Sequence, residues 1–179
     1  SPGGYAANVE AVVRPLAEPV DASGVPAAHV EDTPDSPTID SLVALSNARF
    51  PRPDRPWQAS DTLKNVVFML RHPDGSRTPL AIGLPGDREV DLKRLEAAVA
   101  PAEVEPFADA DFEAYPTLVK GYIGPAALGL GEYEGDQPPA GRVRYLTDPT
   151  VVDGTRWITG ANQPGHHVYD LVCGRDFSA

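Results

Sequence analysis

Residues 64–84 read KNVVFMLRHPDGSRTPLAIGL, and this stretch decides the fold. The apolar run at 66–70 predicts a strand over residues 64–71, because Val and Phe favour a pleated, half-buried surface. The segment 72–76, which brings Pro, Asp and Gly together, predicts a hairpin-like turn, and residues 79–84 supply the partner strand. A β-hairpin is therefore expected at the centre of the domain.

Helical patterns flank this hairpin on both sides. Ser36 and Pro37 predict the cap and the first position of a helix that continues to about residue 48. A second helix is predicted at 91–99, and the acidic residues at 109–112 predict the start of a third. Further strands are predicted at 103–107, 142–147, 156–159 and 166–172. Because strands and helices are mixed rather than strictly alternating, the sequence favours an α/β (mixed α+β) domain with a mixed sheet.

The N-terminal part of the chain differs in composition from the rest. The chain has 20 prolines in 179 residues, and residues 15–37 are rich in Pro, Ala, Asp and Glu without apolar periodicity. Such a segment is typical of an extended connection. We therefore expect an N-terminal arm at residues 1–31 and a compact domain at residues 32–179. The opening residues 1–10, which lack an initiator Met, are interpreted as an interior piece of a larger protein.

Charge and cysteine content restrict the classes of function. The chain carries 15 basic and 26 acidic residues, a formal net charge of −11, whereas a self-sufficient nucleic-acid-binding domain has a pI above roughly 9. Cys173 is the single cysteine, so the chain cannot form an internal disulfide or a Cys-based zinc site, and a cytoplasmic location is expected. No apolar run approaches the roughly 18 residues of a membrane span. A membrane protein is therefore not expected.

The common catalytic motifs are absent from the sequence. There is no G-x-S-x-G nucleophile motif and no Walker loop. Gly129-Leu130-Gly131 lacks the third glycine of a dinucleotide-binding loop, and the four histidines do not form a metal-binding set with Cys173. No metal and no cofactor are therefore expected in this chain.

Three other segments carry groups that could act in a site. Lys64 opens the first strand of the hairpin, and the glycines of 121–125 (GYIGP) allow a ligand to approach backbone N–H groups closely. In 160–167 (GANQPGHH), a loop leads into a strand whose alternation sends His166 and His167 to opposite faces. Each segment also has a plain structural explanation: a solvated lysine, a surface turn, and packed or solvated histidines.

Taken in order, these segments resemble the editing domain inserted in bacterial-type prolyl-tRNA synthetases, which is part of the YbaK-like aminoacyl-tRNA deacylase family. The resemblance covers about residues 33–176, and residues 4–10 are similar to the segment that precedes the insertion. The matching stretches are 38–43, 62–64, 86–90, 121–125, 148–151, 160–162, His167 and 175–176. Each stretch is short, and their order and spacing carry the likeness.

The resemblance implies a YbaK-like fold, in which helices flank a mixed, strongly curved β-sheet. It also implies hydrolysis of the ester in alanyl-tRNA(Pro), which a proline-activating enzyme forms by error. A proline pocket excludes the smaller alanine poorly, since one missing methylene changes binding by only about 1–3 kcal/mol. The implied partners are the acceptor end of tRNA(Pro) and the remaining domains of a homodimeric parent synthetase, whose ATP and Mg would lie outside this chain.

The resemblance assigns roles to two groups of residues. It implies a catalytic group of Lys64, Gly121, Gly124 and Pro125, and a substrate-binding group of Tyr122, Ile123, Gly160, Asn162 and His167. In this reading the lysine ammonium engages the 3′-terminal phosphate or sugar, backbone N–H groups of the glycine loop face the ester carbonyl, and the histidine tunes the amino-acid pocket. Water is the expected nucleophile. These residues are expected to line one cleft.

The sequence departs from the family pattern at two places. The family commonly has an acidic residue where this chain has Arg156, and a proline-rich segment at 51–57 lengthens the connection before Lys64. Two alternatives therefore stay open. One is a non-catalytic or decayed insert that supports tRNA positioning or stability, and the other is a free-standing deacylase for another small aminoacyl-tRNA. A pocket blocked by a side chain, or Lys64 turned away from the glycine loop, would favour the first alternative.

Overall fold

A computed structural model of the chain describes residues 17–128 and 143–178. Seven strands and three α-helices lie within these residues, together with two short 3-10 turns at Ala59–Asp61 and Pro125–Ala127. The opening residues 4–10, the segment Gly129-Leu130-Gly131 and the predicted start of a strand at residue 142 lie outside the described residues. None of the described helices is long and apolar enough to span a membrane.

The predicted hairpin is confirmed and forms the centre of a four-stranded sheet. Strands β2 (Leu63–Arg71) and β3 (Arg77–Pro85) pair antiparallel along their whole length. Strand β4 (Glu103–Pro106) pairs antiparallel with β2, and β5 (Arg144–Thr147) pairs parallel with β3, so the order is β4-β2-β3-β5. The mixed α/β class is therefore confirmed.

The remaining strands form a second sheet. Strands β1 (His29–Asp32), β7 (His166–Val172) and β6 (Arg156–Gly160) pair antiparallel in the order β1-β7-β6. A single parallel bridge between Thr62 and Ile158 joins this sheet to the beginning of β2. The two sheets thus meet where β2 and β6 approach each other, and this junction holds the site described below.

Two ladders of buried side chains lie on opposite faces of the hairpin. Because neighbouring residues of a strand point to opposite faces, Ala81 joins Val67 on one face, and Leu80 and Ile82 lie on the other. Helix α2 (Leu92–Val99) covers the Leu80 face through the fully buried Leu95, whereas Leu92 stays half exposed. Residues of helix α3 (Asp109–Ala114) and the segment after it pack on the Val67 face.

Helix α1 begins two residues later than the sequence predicted. The expected cap at Ser36 with Pro37 at the first helical position is wrong, because Thr38 caps helix α1 (Ile39–Arg49) and forms a reciprocal capping box with Ser41. The Ser36 hydroxyl instead donates to the carbonyl of Thr33 and is fully buried. A serine at this position can either cap the helix or be buried, and in the folded protein Ser36 is buried.

The division of the chain into an arm and a domain stays a prediction. Within the described residues, the N–H groups of Ala17 and Val20 donate to the carbonyls of Pro149 and Asp153. Strand β1 then lies at the edge of the second sheet against β7. Residues 17–32 therefore lie against the compact part of the molecule.

Candidate functional site

A cavity of about 260 Å³ lies where the two sheets meet. Strand β2 forms one wall of the cavity, and the end of β6 and the start of β7 form a second wall. The start of α1 and the glycine loop at residues 121–125 form the other walls. The lining residues are Pro37, Thr38, Ile39, Leu42, Leu63, Lys64, Asn65, Gly121, Ile123, Thr159, Gly160 and His167. Segments that are up to 130 residues apart in the sequence thus share one concave surface, which is where small ligands bind in proteins.

Five of the residues singled out in the sequence line this cavity: Lys64, Gly121, Ile123, Gly160 and His167. The other four, Tyr122, Gly124, Pro125 and Asn162, lie beside it in the same loops without lining it. Sequence reasoning passed over the apolar wall formed by Ile39, Leu42 and Leu63, and the polar pair Asn65 and Thr159. Thr38 and Ile39 belong to a stretch that matched the family, but no signal within the sequence connected that stretch to the cavity.

Lys64 is the one permanently charged side chain among the described lining residues. Its Nζ lies 3.2 Å from Oε1 of Glu89 and 3.4 Å from the carbonyl oxygen of Gly86. The lysine side chain is 18% exposed, whereas that of Glu89 is 92% exposed. An ion pair with so exposed a partner contributes little, typically under about 1 kcal/mol, so an incoming anion can replace Glu89 at small cost.

Two glycines allow the two loops of the site to interlock. A Cβ at Gly160 would overlap the carbonyl group of Tyr122 and lie 2.6 Å from the carbonyl oxygen of Ile123, and a Cβ at Gly124 would overlap the carbonyl oxygen of Gly160. Because backbone atoms cannot move aside as a flexible side chain does, both positions require glycine. The glycines of the two motifs therefore hold the loops in contact.

Asn162 fixes the relative position of these loops by hydrogen bonds. Its side-chain Oδ1 accepts from the backbone N–H of Gly124 at 2.9 Å, and its backbone N–H donates to the carbonyl of Tyr122 at 2.9 Å. Asn162 has a φ of 60°, a conformation that Asn tolerates better than most residues. Among the described residues, the backbone N–H groups of Gly121 and Ile123 have no acceptor, and both residues line the cavity.

His167 is a buried, neutral imidazole at the cavity wall. It is only 4% exposed, and its Nδ1 lies 2.7 Å from Oγ1 of Thr33 and 3.5 Å from Oγ of Ser36. Burial, assisted by the nearby charge of His166, lowers the pKa of His167 from 6.5 to about 4. The ring contacts the Tyr122 ring at a centroid distance of 5.2 Å. At neutral pH the site therefore presents an uncharged hydrogen-bonding group here.

Comparison with known proteins assigns the chain to a family. A family model described as aminoacyl-tRNA editing domain matches residues 33–172. The chain belongs to this editing-domain family. The chain is also 67% identical to the proline–tRNA ligase of Kineococcus radiotolerans, 65% to that of a Nocardioides species and 61% to that of Cutibacterium acnes. These matches cover 97–99% of the chain but only 28–29% of each ligase.

These matches confirm the resemblance to the editing domains inserted in prolyl-tRNA synthetases. The editing domain spans less than a third of the length of the relatives that it matches. Within residues 17–128 and 143–178, no group of three or more His, Cys, Asp or Glu side chains is placed to hold a metal ion. The expectation that the site uses no metal or cofactor stays a prediction.

Arg156, where the family resemblance implies an acidic residue, is directed away from the cavity of the editing domain. Its Nε donates to Oδ1 of Asp170, a buried carboxylate that also contacts Nε2 of His29 at 3.0 Å. The guanidinium carbon lies 5.6 Å from the centre of the Trp57 ring. Arg156 is absent from the cavity lining, so it does not block the pocket.

Proposed function

We propose that this chain is the post-transfer editing domain of a proline–tRNA ligase and hydrolyses the ester of alanyl-tRNA(Pro). The observation that carries the proposal is the cavity whose lining brings together Lys64, the neutral His167, and Gly121 and Ile123 with their unpaired backbone N–H groups. Membership in the editing-domain family and the likeness to proline–tRNA ligases support the reaction class and the tRNA.

The reaction needs a nucleophile, a place for negative charge and a leaving group. Water attacks the ester carbonyl carbon, and the carbonyl oxygen gains negative charge. The bond from that carbon to the terminal ribose oxygen then breaks, one proton of the attacking water passes to the ribose oxygen and the other to solvent, and alanine leaves as its carboxylate. Backbone donors that already point at a developing oxyanion are worth about 3–4 kcal/mol each. The N–H groups of Gly121 and Ile123 are the candidates for this role.

Lys64 suits the anchoring of the nucleic acid rather than attack on the ester. Its ammonium lies at the cavity wall with an exposed, weakly held carboxylate partner. A phosphate of the acceptor end would replace Glu89 as the partner of this ammonium, and a hydrogen bond to a charged group contributes about 1.5–3 kcal/mol where solvent does not screen it. The lysine would thereby bring the ester carbonyl to the glycine loop.

The pocket wall supplies a basis for accepting alanine and rejecting proline. Ile39, Leu42 and Leu63 present apolar surface to the cavity, which suits a methyl side chain and limits the space for a ring. Each added methylene that fits badly changes the binding energy by about 1–3 kcal/mol. A proline-activating site, in contrast, is large enough for proline and therefore also admits alanine.

The charge of the chain indicates that tRNA binding depends on other parts of the ligase. A net charge of −11 opposes binding to phosphates, and phosphate contacts dominate the affinity of proteins for nucleic acids. We expect this domain alone to bind tRNA weakly and to deacylate slowly at high concentration. The remaining domains of a homodimeric ligase in the cytoplasm would supply the additional contacts.

The experiment compares deacylation of alanyl-tRNA(Pro) and prolyl-tRNA(Pro) by the chain, in isolation and within its full-length ligase. Lys64→Ala should lower kcat/KM for alanyl-tRNA(Pro) about 10- to 100-fold, as expected for a lost bond to a charged group. Lys93→Ala is the matched control, because Lys93 is an exposed lysine of α2 that does not line the cavity.

Each outcome decides between the candidate functions. Cleavage of the alanyl ester with sparing of the prolyl ester, lost in Lys64→Ala and kept in Lys93→Ala, supports the proposal. Preferential cleavage of cysteinyl- or seryl-tRNA identifies a different small substrate. No deacylation by the full-length ligase indicates a non-catalytic insert and overturns the proposal.

A further inference from the structure

A partly buried polar network connects strand β5 to the glycine loop at 121–125 through Asn65. The Tyr145 hydroxyl donates to Oδ1 of Asn65 at 2.5 Å. The amide Nδ2 of Asn65 donates to the carbonyl of Ile123 at 2.9 Å and to Oγ1 of Thr159 at 3.0 Å. The Thr159 hydroxyl in turn donates to the carbonyl of Leu63 at 2.7 Å. Four segments of the chain are thus linked at one side chain.

The bonding pattern leaves the Asn65 amide with one orientation. Thr159 uses its single hydrogen on Leu63, so its oxygen accepts from Asn65. The Ile123 carbonyl also needs a donor, and both N–H groups of the amide are then used. The amide oxygen must therefore face Tyr145, and the Tyr145 hydroxyl is the group that holds it there.

Tyr145 itself lies outside the cavity. It is absent from the cavity lining, whereas Asn65, Thr159 and Ile123 belong to it. Gly83 of β3 makes room for the phenol, because a Cβ there would overlap the Tyr145 hydroxyl. Burial raises the pKa of Tyr145, so the phenol stays protonated and remains a donor.

We propose that Tyr145 is a positioning residue of the editing site, which acts through Asn65 to fix the Ile123 carbonyl and with it the loop at 121–125. This inference rests on the proposed hydrolysis, because the loop carries the N–H groups assigned to the ester. The ester contacts backbone whose position depends on the amide of Asn65. The hydroxyl of Tyr145 therefore affects the reaction without touching the substrate.

The kinetic test uses Tyr145→Phe, which keeps the ring and removes only the hydroxyl. We expect kcat for alanyl-tRNA(Pro) to fall about tenfold with KM changed less than about twofold, because the loss leaves a hydrogen-bond acceptor unpaired and misplaces donors needed in the transition state. The matched control is Tyr115→Phe. The Tyr115 ring packs against the same core cluster, and its hydroxyl has no partner among the described residues. This control should keep the parent kcat.

A double-mutant cycle with Asn65→Ala tests the route of the effect. If Tyr145 acts through Asn65, adding Tyr145→Phe to Asn65→Ala lowers kcat no further. Full additivity of the two changes overturns the inference, and so does an unchanged kcat in Tyr145→Phe.

Hydrogen–deuterium exchange separates this inference from the proposed function. In Tyr145→Phe, amides of residues 119–128 should exchange faster than in the parent, and in Tyr115→Phe they should not. This measurement needs no substrate, so it decides the inference even when the parent ligase fails to cleave alanyl-tRNA(Pro). Unchanged exchange at this loop overturns the positioning role whatever the activity.

Discussion

The burial of His167 predicts a loss of stability when the pH falls from 7 to 5. Its pKa is about 4 in the folded chain, against 6.5 for an ordinary histidine. Because the folded pKa is the lower one, the unfolded chain takes up the proton first. The stability contributed by the neutral ring is complete above pH 6.5 and is lost as the pH falls towards 4.

The size of this effect follows from the difference between the two pKa values. At about 1.36 kcal/mol per pH unit, the full loss below pH 4 is about 3 kcal/mol, and about 2 kcal/mol of it is lost by pH 5. A domain of this length has a total unfolding free energy of about 5–15 kcal/mol. The effect is therefore large enough to measure while the protein remains folded.

The assay is urea denaturation at pH 7.5, 6 and 5 for the parent and for His167→Gln. Acidic residues elsewhere titrate equally in both proteins, so the difference between their unfolding free energies isolates the histidine. We expect this difference to shrink by about 2 kcal/mol between pH 7.5 and 5. His166→Gln is the control, because His166 lies on the other face of β7 and is only partly buried, and it should keep most of the parent's pH dependence.

A difference that stays constant to within about 0.5 kcal/mol over this range refutes the reasoning. A His167 ring that titrates near 6.5 in NMR spectra of the folded protein refutes it as well. Either result would mean that the ring is hydrated or paired with an acid. The site would then hold an imidazole that takes up a proton near neutral pH.

Two further substitutions test the framework around the cavity. Gly160→Ala places a methyl group in the backbone of the opposite loop, so we expect about 1–3 kcal/mol lower unfolding free energy and at least tenfold slower deacylation. Gly24→Ala, which meets no atom within 4 Å, should change neither, and equal behaviour of the two variants would contradict the interlocked loops. Asp170→Asn removes the buried charge opposite Arg156 and replaces one of two acceptor oxygens by an amide NH2 group. Asparagine tolerates the φ of 57° at this position, so the expected loss of about 2 kcal/mol in urea denaturation should reflect the lost charge and acceptor rather than backbone strain. An unfolding free energy equal to the parent's would show that this ion pair contributes nothing.

The sequence alone determined the local elements. The apolar run at 66–70 and the turn at 72–76 predicted the central hairpin, because strand pairing across a short turn depends on neighbouring residues. Strand alternation likewise placed His166 and His167 on different faces, and His167 is the buried one. The order and spacing of short motifs were enough to identify the family.

The tertiary structure decided what those elements build together. The two sheets are joined by a bridge between Thr62 and Ile158, a contact between residues almost a hundred positions apart. Ser36 is likewise buried in the folded protein, where its Oγ lies 3.5 Å from Nδ1 of the distant His167, and the helix cap lies at Thr38.

The site itself depends on contacts of this long-range kind. Gly124 and Asn162 belong to motifs that the sequence displays, but their N–H and amide groups are used in joining two loops. Asn65 connects four segments, and Arg156 turns to Asp170 rather than to the cavity. A local sequence pattern predicts only the interactions between residues that are close together in the chain. Which polar groups remain available to a substrate depends on which distant groups have already paired with them, and only the folded arrangement determines that.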